Sequence, residues 1–188
     1  MGNGTSYNPT MVWTPSGAIH VYHMNKPTTL VDSAGITNMT NVSTCVEGAD
    51  IGLGKSVQFY GDCGFYHSGY AQTATGTGAS TELVFIKASS VQNDKITISY
   101  GNAAGGQLRS LWPSHSSSGM FYMGYTGGYD FQSSLIPPTG SLAIYGMSYN
   151  STHKKLIANN QSQTGAYSVG TGSSFMSFGY SYRAVTGK

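Results

Sequence analysis

Residues 95–100 read Lys-Ile-Thr-Ile-Ser-Tyr, and that alternation decides the fold class. Successive side chains of an extended chain point to opposite faces, so Ile96, Ile98 and Tyr100 share one face while Lys95, Thr97 and Ser99 share the other. The same period returns near the C-terminus, where Met176, Phe178, Tyr180 and Tyr182 alternate with Ser177, Gly179, Ser181 and Arg183. Such a segment is expected to be a half-buried strand. Leu83-Val84-Phe85-Ile86 is continuously apolar and is expected to be a core strand, either covered on both sides or at the centre of a sandwich. Further strands are expected at 18–24, 37–44, 119–126 and 141–149, with loops at 72–80 and 114–119. Helical periodicity is almost absent. Short strands at this spacing imply an all-β protein, a sandwich or jelly roll.

The 188 residues show no linker and no repeat of fixed period, so a single domain is expected over 1–188. Only 9% of residues are charged, against roughly 25% in ordinary soluble domains. With a net charge of +2 and no basic cluster beyond Lys154-Lys155, neither a nucleic acid nor an anionic membrane is an expected partner. No apolar run is long enough to span a bilayer as a helix. Met1-Gly2-Asn3-Gly4-Thr5-Ser6 matches an N-myristoylation pattern, which would imply a reduced cytosolic protein. Met1 reads better as a start placed ahead of a secreted fragment. Asn3, Asn38, Asn41, Asn150 and Asn160 open Asn-x-Ser/Thr acceptor sites, which matter only in a eukaryotic secretory pathway.

The stretch 45–63, Cys-Val-Glu-Gly-Ala-Asp-Ile-Gly-Leu-Gly-Lys-Ser-Val-Gln-Phe-Tyr-Gly-Asp-Cys, contains a Gly-Lys-Ser step between the only two cysteines. A phosphate-binding loop would need glycine at position 49, which is Ala49, and a helix after Ser56, where Val57-Gln58-Phe59-Tyr60 reads as a strand. Nucleotide binding is therefore not expected. The alternatives for the cysteines are two buried free thiols or a Cys45–Cys63 disulfide. The disulfide is favoured because the polar, glycine-rich stretch between them has little else to fix it, and closing a loop of this size is worth about 3 kcal/mol of chain entropy.

An enzyme is not expected. The nucleophile elbow Gly-x-Ser-x-Gly is missing and the seven acids show no pairing that marks a hydrolase. His20 and His23 lie three apart and would face opposite sides of a strand, and Asp50 and Asp62 alone are too few oxygen ligands for calcium. No metal or other cofactor is expected. What remains is aromatic and polar side chains on loops, the material of sugar and protein recognition. The candidate ligand-binding residues are Trp112 and His115 in one segment, Tyr125, Tyr129 and Asp130 in a second, and Asp50, Tyr60 and Asp62 in the cysteine loop.

The segments "PPTGSLAIYGMSYNST" at 137–152 and "FMSFGYSYRAV" at 175–185, with a fainter echo in "SGAIHVYHM" at 16–24, resemble the receptor-binding domain of two-domain chaperone-usher fimbrial tip adhesins, the family of the type 1 fimbrial mannose adhesin. The resemblance implies an elongated β-sandwich of immunoglobulin-like or jelly-roll topology, a secreted domain at a bacterial pilus tip, reached through the periplasm, that binds a host glycan or glycoprotein. It also implies contact with pilus subunits and a periplasmic chaperone through a second, pilin-like domain. None of the family's mannose-site positions is matched here, so the resemblance assigns no binding residue. The alternative reading is the trimeric receptor-binding head of a viral or phage fibre, which shares the composition and differs in oligomeric state.

Overall fold

The computed structural model describes residues 18–34, 37–43, 45–52, 54–59, 63–68, 77–91, 93, 95–125, 128–166, 170, 172 and 175–179. Tyr60 and Asp62, and residues 180–182 of the expected C-terminal strand, lie outside them. All regular structure among the described residues is β, and the protein is an antiparallel β-sandwich.

The strands, in chain order, are β1 Thr29–Leu30, β2 Met39–Asn41, β3 Val46–Gly48, β4 Ser56–Gln58, β5 Phe65–Ser68, β6 Ser80–Ile86 and β7 Ile98–Gly101. They continue with β8 Leu108–Trp112, β9 Phe121–Met123, β10 Phe131–Gln132, β11 Ala143–Tyr149, β12 His153–Ala158, β13 Gln161–Ala166 and β14 Phe175–Phe178. One layer has eight strands in the order β1-β2-β5-β14-β7-β8-β9-β10, and the other has four, β13-β12-β11-β6. A small hairpin, β3-β4, stands apart. The chain crosses between layers from β5 to β6, from β6 to β7, from β10 to β11 and from β13 to β14.

Register fixes the core. Ile98 lies opposite Phe178 and Leu111, and Tyr100 opposite Met176 and Arg109, so the expected Ile98/Tyr100 face of residues 95–100 does point inward. It meets Ala143, Tyr145, Met147 and Leu156 of the smaller sheet in one apolar cluster. Each of those side chains contributes on the order of 1.5–3 kcal/mol by leaving water.

Two expectations fail. The outward face of the central strands is also buried: Ser177, Ser99 and Ser110, partners across β14, β7 and β8, are all 0% exposed. A small hydroxyl on that face reads as solvent-facing in sequence, but side chains such as Leu108, Phe175, Tyr66 and Met123 gather on the same face. Conversely, Leu83-Val84-Phe85-Ile86 is not a doubly covered core strand. It belongs to β6, which pairs with β11 on one side and has no strand partner on the other among the described residues. Leu83 and Phe85 are 51% and 53% exposed. Of the expected strand 18–24, only an isolated bridge, Tyr22 to Asp32, is present.

Cys45 and Cys63 form the expected disulfide. Cys45 follows β2 and Cys63 precedes β5, which are neighbours in the large sheet, so the bridge closes the base of the excursion that carries the β3-β4 hairpin. Both cysteines belong to the core cluster. Reduction is therefore expected to speed amide exchange across 46–58 by at least about tenfold while β7, β8 and β11 keep their protection. Exchange measured by mass spectrometry before and after mild reduction checks this; loss of protection throughout the sandwich would show that the bridge supports the whole core.

Candidate functional site: an open groove beside strand β6

Among the described residues, one layer has eight strands and the other four, and part of the large sheet has no strand of the smaller layer above it. There a groove of about 2030 Å³ runs between the free edge of β6 on one side and the 18–26 stretch with the β3-β4 hairpin on the other. Met176, Phe178, Ile98 and Tyr145 contribute to its lining from the core.

The 18–26 wall is held by one carboxylate. Asp32 accepts hydrogen bonds from the backbone N–H of Val21 (3.0 Å), Ala34 (2.9 Å) and Thr37 (3.2 Å), and its other contact is His20 Nδ1 at 2.6 Å. Burial opposes its charge, but these four donors outweigh burial and hold the Asp32 carboxyl below the usual range. Tyr22 adds a hydroxyl bond to Thr37 O at 2.8 Å and an edge contact with Phe178. The hairpin wall is shaped by Asp50, whose carboxylate accepts from Gly52 N (2.7 Å) and Gly54 N (3.1 Å), and by the Lys55–Glu47 pair at 2.7 Å. Phe59 follows the hairpin, 38% exposed, with its ring edge-on to Phe65. Phe85 stands on β6, so exposed aromatic faces occur on both walls.

Among the described residues that the sequence marks as binding candidates, only Asp50 lines this groove. Trp112 closes β8 and is half-buried; its Nε1 donates to Ser110 Oγ at 2.9 Å, and its ring meets His115 and Phe121 edge-on. His115 stacks on Phe121 with centroids 4.4 Å apart. Tyr125, Tyr129 and Asp130 lie beyond the other end of β9, in a turn that Asp130 closes by accepting Gly124 N at 2.7 Å. Burial pushes the Asp130 carboxyl upward, and that hydrogen bond and the nearby Lys154 only partly offset it. Tyr129 is 40% exposed and its carbonyl accepts from Lys154 Nζ. The structure therefore places the aromatic loop residues at two ends of β9 and the groove elsewhere.

Sequence reading missed Phe59, Phe85, Leu83 and the lysines of the groove. The available signal was Leu83-Val84-Phe85-Ile86 itself, since a continuous apolar run marks a strand with two contacts but cannot say whether the second is core or ligand.

The fold and the groove together define a β-sandwich with an open cleft along one sheet edge. No protein-family model and no curated protein matches the chain. A solved structure of similar fold is Domain 4 of AbnA, a GH43 extracellular arabinanase from Geobacillus stearothermophilus, in complex with arabinotriose. The likeness has a TM-score of 0.61 at 20% identity and covers 79% of this chain and 77% of that one. At that identity it supports the sandwich fold alone.

Proposed function

We propose that this chain is a non-catalytic, extracellular glycan-binding domain that holds an oligosaccharide in the groove beside β6. The observation that carries the proposal is the pairing of exposed rings, Phe59 and Phe85, with the hydrogen-bonding side chains of Gln58 and Ser89 in one open cleft. Apolar sugar faces stack on rings while their hydroxyls need acceptors and donors alongside. A buried disulfide fits an oxidising compartment. The similarly folded arabinanase domain was solved with an oligosaccharide, which makes that ligand class the first to test. Within this reading the chain is the receptor-binding domain of a fimbrial tip adhesin, joined to pilus subunits through a further domain and directed to a host glycan or glycoprotein.

Glycan-array screening followed by titration of the best oligosaccharide tests the proposal. Phe85→Ala is expected to weaken binding by about 2 kcal/mol, roughly 30-fold, as a stacking hot spot. Thermal stability should hardly move, because the ring is already half exposed. Phe59→Ala should weaken binding similarly with some loss of stability, since that ring also touches Phe65. An array without hits, or affinities unchanged in both variants, would sink the groove as the glycan site.

A further inference from the structure

We infer that the groove selects an acidic oligosaccharide, one bearing carboxylate or sulfate groups, through Lys26, Lys87 and Lys95; this rests on the glycan-binding reading above. Charge is scarce in this chain, with 9 Lys+Arg and 7 Asp+Glu in 188 residues, so its placement is informative. Lys26, Lys55, Lys87 and Lys95 all line the groove. Lys55 is neutralised by Glu47 at 2.7 Å. Lys26, Lys87 and Lys95 are exposed, and none of them forms an ion pair among the described residues.

The acids of the groove are committed elsewhere. Glu47 belongs to Lys55, Asp50 caps the hairpin turn through the amides of Gly52 and Gly54, and Glu82 accepts the Tyr100 hydroxyl at 2.6 Å. With Lys55 and Glu47 cancelling each other, the exposed charges left are Lys26, Lys87 and Lys95 against Asp50, a net positive balance that stands on both walls. Lys26 ends the 18–26 stretch, Lys87 directly follows β6, and Lys95 sits just ahead of β7. Cleft walls of low dielectric focus such a field toward a ligand between them. Ammonium groups are donors only, so they match carboxylate or sulfate oxygens and add little for a neutral sugar, which the rings and backbone already serve. The whole molecule carries only +2, too little to attract a long polyanion from a distance, so the match is local.

The test titrates the intact chain with a sulfated heparin-derived oligosaccharide, a galacturonic acid oligosaccharide and a neutral arabino-oligosaccharide, at low and high salt. The same titrations are run on Lys26→Gln/Lys87→Gln/Lys95→Gln, whose three sites are exposed and whose fold is checked by circular dichroism. At least one acidic oligosaccharide is expected to bind more tightly than the neutral one at low salt, and to weaken about tenfold or more in the triple variant and at high salt. Neutral oligosaccharide bound equally well, with neither salt nor the triple variant altering any affinity, overturns the acidic selectivity and leaves the glycan reading standing. No binding of any of the three overturns both. Tighter binding of duplex DNA or of vesicles rich in anionic lipid than of either acidic oligosaccharide also overturns the inference.

Discussion

Replacing Arg109 with methionine is expected to cost the fold about 3–5 kcal/mol, the largest effect of any single side chain outside the apolar core. Arg109 is fully buried and faces inward from β8, where it joins the two layers. Its guanidinium donates to Tyr100 Oη at 3.0 Å, to Gly78 O at 2.7 Å and to Ser80 Oγ, and lies over the Tyr149 ring at 4.5 Å from the centroid. Tyr100 in turn donates to Glu82 Oε1 at 2.6 Å. Burial pushes the Glu82 carboxyl upward, and the bonds from Ser80 and Tyr100 together with the Arg109 charge pull it only partly back. Methionine keeps much of the volume but removes the charge and strands the Gly78 carbonyl and Ser80 hydroxyl without their donor. Glu82 should then take up a proton at higher pH than in the parent. Denaturant unfolding measures the loss, and Arg109→Met combined with Glu82→Gln should recover part of it, because neither buried charge remains alone. A cost below about 1 kcal/mol for the single variant would show that relief of the guanidinium's desolvation offsets its lost bonds.

This polar seam marks the limit of what the sequence could disclose. Residues 95–100 and 141–149 announced strands because alternation is a local property, readable from neighbours alone. Gln107-Leu108-Arg109-Ser110-Leu111 carries no comparable mark, since the burial of Arg109 depends on Tyr149 and Ser80, which arrive from another layer. The groove was hidden for the same reason. It exists because one sheet has eight strands and the other four, a count that follows from pairing among distant segments. Trp112 shows the converse: a large ring beside Pro113 and Ser114 looks like a loop platform, and in the structure it is half-buried between His115 of its own segment and Phe121 across the strand pair. The disulfide was legible, against the alternative of two free thiols, because the polar, glycine-rich stretch between the only two cysteines had little else to fix it.

The second large effect concerns Lys154, and it sets how stability varies with pH. Lys154 is 0% exposed on the inner face of β12; its Nζ donates to Tyr129 O and lies 5.0 Å from the centre of the Tyr122 ring. Burial pulls its pKa down from 10.5 to about 8, with Asp130 opposing that shift and Arg109 adding to it. In the unfolded chain the amine regains its ordinary value near 10.4. Below pH 8 both states hold the proton, so this group contributes no slope there, but the folded state carries the full penalty of about 3–4 kcal/mol for a buried charge. Between about pH 8 and 10 the unfolded chain binds a proton that the folded chain has released, so stability rises with pH. Above about pH 10 the sign reverses, because burial raises the pKa of Tyr100, Tyr122 and Tyr145 and the unfolded chain ionises its tyrosines first. Thermal unfolding of the parent should therefore climb from pH 8 toward 10 and then fall. Lys154→Met should be the more stable protein at pH 7 and should lack that climb. A methionine variant that follows the parent's pH profile would place the titration elsewhere and leave Lys154 charged throughout.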